Sequence, residues 1–265
     1  MTNELDRDTL TRCADLLAQA RHAVALAGAG MSKESGVPTF RGEGGLWTER
    51  GEPPLNQYDG FREDPKRWWE RRLEQAQSVD GFGTALEAAE PNAGHRALAE
   101  LEELGVLGHL ISQNIDDLHR QAGQRSLTEI HGNRHWMRCV GCETRWPRQE
   151  FPVDAENLPP RCSQPGCDGI VKGDTVMFGE PIPPSALVRS QEETMRADVF
   201  LSIGTSALVY PAAQYPMLAV QRGVQLIEIN PEPTPLTEVA SEVLRGPSGE
   251  ILPLLVDAVR DRLDP

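Results

Sequence analysis

Apolar residues fall into short runs separated by helical patterns. Residues 23–27 form an unbroken apolar run, and 106–112, 127–130, 174–178, 199–204 and 224–229 are further strand candidates. Between them, residues 93–104 place Leu98, Leu101 and Leu104 at helical spacing, and 184–195, 212–222 and 250–263 fit the same period. Residues 1–20 read as an amphipathic helix, with Leu10, Cys13, Leu17 and Ala20 near one face. Strands alternating with helices predict an α/β fold with a parallel sheet covered on both faces. Ligands of such sheets bind beyond the carboxyl ends of the strands, where Gly204 and Asn230 fall.

Two stretches break the alternation. Residues 42–90 carry turn signals at Gly42, Gly44 and Gly45, a Pro53-Pro54 pair and a helical pattern over 65–76. Residues 133–172 hold Pro159-Pro160 and a cysteine cluster, with little periodicity. Both read as inserts, a helical one and a zinc-ribbon module, that together form a smaller domain. The expected division is 1–41, 91–132 and 173–265 for the large domain, and 42–90 with 133–172 for the small one.

Composition narrows the function classes. The formal net charge of −14 over 265 residues argues against non-specific nucleic-acid binding, which needs clustered Lys and Arg. No apolar run is long enough for a bilayer and no signal-peptide pattern opens the chain, so a soluble cytoplasmic protein without a membrane partner is expected. Four of the five cysteines lie between 139 and 167. Cys139-x2-Cys142 and Cys162-x4-Cys167 offer four thiolates at ribbon-like spacing, the donor set of a closed, structural zinc site. The module also carries Arg134, Arg138, Arg145, Arg148 and Arg161 but no dense basic face, which weighs against a nucleic-acid-binding ribbon.

The remaining motifs are ambiguous one by one. Gly28-Ala29-Gly30 follows the first apolar run and permits close backbone approach to a phosphate, with the N–H groups of a following helix pointing at it. It reads equally as a plain tight turn, because Lys33 stands where a dinucleotide fingerprint has its third glycine. No acidic residue ends a second strand about 20 residues on, so a hydride-transfer Rossmann site is disfavoured. Gln113-Asn114-Ile115-Asp116 can face a ligand, while Asp116 can equally cap a helix starting near Asp117. His131-Gly132-Asn133 sits at the predicted domain junction, as a proton acceptor or as a structural imidazole. Gly204-Thr205-Ser206 and Asn230-Pro231-Glu232 suit a ribose or phosphate, or only a turn.

In this order the motifs are specific. The run from Gly28 through Gly36-Val37-Pro38-Thr39-Phe40-Arg41-Gly42, then Gln113 to Asp116, His131-Gly132, the four cysteines, Met177-Phe178-Gly179-Glu180, Gly204-Thr205-Ser206 and Ile229-Asn230-Pro231 closely resemble the sirtuins, NAD-dependent protein lysine deacylases. The likeness spans about residues 20 to 260, and details such as Gly44-Gly45-Leu46-Trp47 resemble bacterial or archaeal members.

The resemblance implies a large Rossmann-like domain, a doubly wound parallel sheet, beside a small zinc-bearing one, with NAD in the cleft between them and one structural zinc on Cys139, Cys142, Cys162 and Cys167. Residues 28–47, including Ala29, Ser32, Thr39 and Trp47, then form the cofactor turn and a loop closing over NAD. Phe40 covers the reacting ribose and Arg41 contacts phosphate or ribose. Gln113, Asn114, Ile115 and Asp116 position ribose and nicotinamide amide. Gly204, Thr205, Ser206, Asn230 and Glu232 hold the adenosine half, with Ser248 near the adenine. Val176, Met177, Phe178 and Gly179 pair by backbone with an acyl-lysine peptide. His131 is the implied general base on a ribose hydroxyl and Asn114 the second catalytic residue, giving nicotinamide, free lysine and O-acyl-ADP-ribose.

Two departures matter. Members that prefer succinyl- or malonyl-lysine carry Tyr-x-x-Arg on the insert helix, whereas Arg72 and Gln75 stand at those positions here, with Arg71 or Arg72 as a poor substitute. Deacetylation is therefore expected over desuccinylation or demalonylation. Lys172-Gly173-Asp174 also replaces a more usual basic-proline step. The rival expectation is a protein ADP-ribosyltransferase or NAD hydrolase, which would release nicotinamide without acyl-lysine. A non-enzymatic zinc-ribbon binding module is weighed down by the net charge of −14 and by the complete set of cofactor motifs.

Overall fold

A computed structural model describes residues 6–42, 44–75 and 81–263. The start of the helix expected over 1–20 and Ala76 of the insert helix lie outside the described residues. In chain order, the helices are α1 (Arg7–Gln19), α2 (Leu46–Arg50), α3 (Gln57–Glu63), α4 (Pro65–Gln75), α5 (Gly81–Ala88), α6 (Ala93–Glu103), α7 (Leu118–Gln121), α8 (Pro184–Arg196), α9 (Gln214–Gln221) and α10 (Ser248–Leu263). The strands are β1 (Ala23–Ala27), β2 (Leu107–Ser112), β3 (Leu127–Glu129), β4 (Trp136–Cys139), β5 (Arg145–Pro147), β6 (Val171–Gly173), β7 (Val199–Ile203), β8 (Gln225–Ile229) and β9 (Glu242–Leu244).

Six strands form one parallel sheet in the order β3-β2-β1-β7-β8-β9. The strand order reverses between β1 and β7, the place where doubly wound sheets open a ligand crevice. The apolar run of β1 explains its central position. Ala23, Ala25 and Ala27 face a core shared with Cys13, Leu17, Leu98, Leu101, Leu252, Leu255 and Val259 from α1, α6 and α10. Val24 and Leu26 face the opposite core, with Phe200, Tyr215, Ala219 and Leu226. A strand buried on both sides needs apolar residues at every position, which is why this run shows no alternation.

A second, antiparallel sheet has the order β5-β4-β6. It is too small to bury a face alone. Helix α4 covers it: Trp69 packs with Met137, Cys139 and Val171, and its indole Nε1 donates to the Val171 carbonyl at 3.2 Å. Helix α4 and the cysteine module thus share one small core, while Leu86 of α5 packs with Val37 and Leu118.

The strand expected over 174–178 does not form; β6 ends at Gly173 and the chain continues through bends. Polar anchors rather than a ladder fix this segment, as described below. After Gly28 the helix that follows is a 3-10 helix over Ala29–Ser35.

Burial of neutral histidines makes the fold acid-sensitive. His95, His109 and His119 are all buried. His95 Nδ1 accepts from the Asn92 N–H at 3.3 Å, so that nitrogen carries no proton. Burial pushes the pKa of His95 and of His109 down to about 4, and that of His119 well below the ordinary 6.5. In the unfolded chain each takes a proton below about 6.5. Their folded values are depressed, so the stability they allow is complete above pH 6.5 and is lost as pH falls towards 4. Thermal melts from pH 7 to pH 4 should show Tm falling by roughly ten degrees or more through this window. A flat profile would contradict the assignment.

Candidate active site

The turns after β1 and β7 interlock. Gly28 N–H donates to the Ile203 carbonyl at 2.9 Å, and Gly30 N–H to the Gly204 carbonyl at 2.8 Å. A Cβ on Gly28 would lie 2.7 Å from Thr205 Cβ, and one on Gly30 2.7 Å from Gly204 Cα. Gly204 itself holds φ +56°, the left-handed region. The first backbone these glycines admit is therefore the neighbouring turn. Gly28→Ala is expected to lower Tm by about 5 °C through overpacking and to weaken nucleotide binding. Melts and an NAD titration test both parts; an unchanged Tm would show that the turn relaxes.

Beside this junction lies a polar cluster. Asn114 Nδ2 donates to the Gly28 carbonyl and to Ser32 Oγ, each at 3.1 Å. Ser32 Oγ donates to Asp116 Oδ2 at 2.6 Å. Asp116 Oδ1 accepts from the N–H of Leu118, the first residue of α7, at 3.0 Å, while its other oxygen faces the cluster. Burial raises the Asp116 pKa, against the lowering pull of the Ser32 hydroxyl. Gln113 Nε2 reaches Thr205 Oγ1 at 2.9 Å, and Asn230 Nδ2 donates to the Thr205 carbonyl at 2.9 Å. Ser248 Oγ lies 3.5 Å from the Gly30 carbonyl.

His131 sits where the large sheet meets the small one. Its Nδ1 lies 3.0 Å from the Gln113 carbonyl. A carbonyl only accepts, so Nδ1 carries the proton and Nε2 presents a lone pair. Burial lowers the His131 pKa, opposed by this bond to Gln113, which favours the charged ring. The main-chain carbonyl of His131 accepts from the Val176 N–H at 2.9 Å. Gly132 follows at φ +75°, and a Cβ there would lie 2.1 Å from the Asp174 carbonyl, so only glycine fits.

A buried charge network, unread in the sequence, fixes the segment after β6. Glu180 Oε1 accepts from Arg138 Nη2 at 2.6 Å. Its Oε2 meets Lys172 Nζ at 2.9 Å and accepts the Met177 N–H at 2.9 Å. Lys172 Nζ also donates to the carbonyls of Gly173 and Thr175. Asp174 accepts from Arg138 Nε, Arg145 Nη2 and the Asn133 N–H at 2.9, 2.7 and 2.9 Å. Lys172, Glu180 and Asp174 are buried, so every charge needs the partner it has. A charged residue on each side of an apolar run was the available signal; it carries no hint of which charges meet.

Aromatic rings close the other wall. Phe40 and Trp47 lie 4.8 Å apart, Trp47 and Phe178 5.4 Å apart edge to face, and the Arg41 guanidinium stacks 4.6 Å from the Trp47 ring. Phe82 joins Phe40 at 6.1 Å.

Every residue expected to hold cofactor or substrate lines one cleft of about 2740 Å³, from Gly28, Ala29, Gly30 and Ser32 through Thr39, Phe40, Arg41 and Trp47 to Asn230, Glu232 and Ser248. Ile115, His131 and Val176 to Gly179 line it too. Glu232 is exposed at its mouth, and Arg245 Nη1 donates to its carbonyl at 3.0 Å.

The cysteines lie apart from the cleft. Their four Sγ atoms are within 4.8 Å of one another, with Cys139–Cys167 at 3.7 Å and Cys142–Cys162 at 3.6 Å. Four sulfurs at about 2.3 Å from a tetrahedral zinc stand roughly 3.8 Å apart, so the set fits that ion. Backbone N–H groups of Gly141, Gln164 and Gly169 point at the sulfurs, and a Cβ on Gly169 would lie 2.5 Å from Cys139 Sγ.

A parallel sheet with a crevice at its switch point, a polar cluster, a pinned imidazole and a four-thiolate ribbon define a nucleotide-using enzyme of two parts. The description "Sir2 family" matches residues 28–211. The chain is 43% identical over 256 residues to an NAD-dependent protein deacylase of Thermococcus kodakarensis (strain ATCC BAA-918 / JCM 12380 / KOD1), covering 95% of this chain and 96% of that one. Among solved structures it is similar to a mutant Sir2 homologue in complex with ADP-ribose, with 40% identity, a TM-score of 0.77 and 98% of each chain covered. It is also similar to Sir2Af2 bound to a myristoylated histone peptide, with 33% identity, a TM-score of 0.67, and 98% and 100% covered. The chain belongs to the Sir2 family.

Proposed function

We propose that this chain is an NAD-dependent protein lysine deacylase, with acetyl-lysine its main substrate, and that its site residues act as follows. The observation that carries the reading is the double use of His131. Its imidazole is held through Nδ1 by Gln113, and its main chain holds Val176, the start of the segment read as the peptide dock. Base and substrate are thereby set from one residue.

Bound NAD supplies a ribose carbon from which nicotinamide can leave. Asn114, Ser32 and Asp116 orient the nicotinamide end, and Gly204, Thr205, Ser206 and Asn230 the adenosine half. Phe40 and Trp47 exclude water from the reacting carbon, which favours attack by a weak acyl oxygen. His131 Nε2 would take the proton from a ribose hydroxyl, so that the acyl group passes from lysine to the sugar, the lysine leaving as its amine and one water making up the O-acyl-ADP-ribose. Val176 to Gly179 pair with the peptide; among the described residues the Phe178 N–H has no intramolecular partner, which supports strand addition. The four cysteines hold the zinc, which keeps the ribbon folded and takes no chemical step.

The domain division of 1–41, 91–132 and 173–265 against 42–90 and 133–172 belongs to the same proposal, supported by the two separate sheets. Among the described residues no helix is long and apolar enough to cross a membrane. A cytoplasmic location and acyl-lysine proteins as partners, with no nucleic acid, complete the reading.

One peptide carrying acetyl-, propionyl-, crotonyl-, succinyl- or myristoyl-lysine, with and without NAD, tests it by mass spectrometry. Acyl loss that requires NAD and yields O-acyl-ADP-ribose is expected. Nicotinamide release that is indifferent to the peptide would replace it with the hydrolase reading.

A further inference from the structure

The chain is strongly acidic, yet five arginines line the cleft where the helical insert faces the cysteine module: Arg67, Arg71, Arg72, Arg134 and Arg148. Arg134 and Arg148 meet on the small-sheet side, and Arg72 lies on the insert helix that lines the same cleft. The Arg134 N–H donates to the Ile115 carbonyl at 3.0 Å, which ties this residue to the turn that carries Asn114. The Arg148 N–H donates to the His135 carbonyl at 2.7 Å, and its Nη1 lies 3.5 Å from the Arg134 carbonyl. Arg72 comes from α4, which Trp69 docks on the small sheet.

Their charges are poorly matched. Arg41 and Arg120, elsewhere in the cleft, are paired with Glu52 and Glu129. Among the described residues neither Arg72 nor Arg148 has a carboxylate partner. Arg134 has only the exposed Glu87 at 3.4 Å, and its Nη1 is buried without a hydrogen-bond partner. Asp64, also on the lining, accepts from the Arg67 N–H at 2.9 Å. Loss of water first, then the charges of Arg72 and Arg134, lower the Arg148 pKa, as expected of like charges held together.

We propose that Arg72, Arg134 and Arg148 form an anion subsite on the small-sheet side of the cleft that receives a carboxylate of the substrate. A planar guanidinium fork matches a carboxylate bidentately, and neither Arg72 nor Arg148 already holds one among the described residues. This set differs from Tyr-x-x-Arg: Arg72 stands at the Tyr position, and two of the three arginines come from around the small sheet. The proposal rests on the deacylase reading. The carboxylate belongs either to the end of the acyl chain or to an acidic residue flanking the lysine.

The test measures binding of labelled peptides to the full chain by fluorescence anisotropy, with NAD-dependent turnover followed separately. One arm compares succinyl-lysine with an uncharged acyl-lysine of matching length in a neutral peptide. The other compares acetyl-lysine peptides with Glu or Gln at each flanking position. In at least one arm the carboxylate should tighten binding about fivefold, less so at high salt. That ratio should fall to near one in the triple variant Arg72→Gln, Arg134→Gln, Arg148→Gln. Equal affinities within both arms for the unaltered protein, which needs no variant to fold, would overturn the subsite. So would a preference that survives the triple substitution. Acetyl-peptide turnover without a carboxylate preference removes the subsite alone; a preference without NAD-dependent turnover removes the deacylase reading alone.

Discussion

His131→Ala should cut NAD-dependent deacylation by about a hundredfold to ten-thousandfold, the usual worth of a positioned general base. NAD affinity should change by no more than a few-fold. The imidazole is the only group lost, and the main-chain bond from Val176 to residue 131 survives the substitution. Steady-state assays with an acetyl-lysine peptide, beside an NAD titration, separate the two effects. Turnover close to that of the unaltered protein would exclude His131 as the base. The pH profile adds a second readout. Only the neutral ring accepts a proton, and burial lowers its pKa below the ordinary 6.5. Activity should therefore persist below pH 6.5 and fail on an acid limb set by that lowered value. The sign for stability is the same: a depressed folded pKa favours the fold above about 6.5 and ceases to do so as pH falls through it.

Removing zinc, or replacing Cys139 by Ser, should abolish deacylation while leaving the six-stranded sheet folded. Cys139 closes β4, and Arg138 beside it holds both Asp174 and Glu180. Without the ion the small sheet has little core, chiefly Trp69, Met137 and Val171 with the cysteines. Its loss frees the anchor of the segment read as the peptide dock. Two unfolding transitions should replace one in a thermal melt, together with a loss of one zinc per chain by metal analysis. Full activity in a chelated, metal-free sample would refute a structural role for the ion.

The large sheet was legible because its signals are local. β1 is a short apolar run with a glycine turn after it, and α6 begins where Asn92 caps it, its side chain accepting from Gly94 and His95 N–H groups. The 174–178 segment misled for the same reason. Val176, Met177 and Phe178 look like a strand, but partners far away in sequence decide its shape: His131 for Val176, and a Glu180 held by Lys172 and Arg138 for Met177. Strand β9 has only three residues and shows no period. The expected cofactor and substrate residues share one cleft, to which the ends of β1, β2, β7 and β8 bring Gly28, Gln113, Gly204 and Asn230. Their pairings were not legible. Asp116 holds the first N–H of α7 with one oxygen and accepts from Ser32 with the other, a pairing the sequence does not show. Gly28 and Gly30 permit a close approach, but the backbone that approaches is Gly204 and Thr205.

The peptide unit of His131 works as a lever. One arm is the imidazole, pivoted on the Gln113 carbonyl; the other is the carbonyl that grips Val176. If the 176–179 segment docks the peptide and His131 is the base, as proposed, a peptide that draws that segment towards itself also pulls on the residue whose Nε2 meets the sugar, so that seating the substrate aims the base.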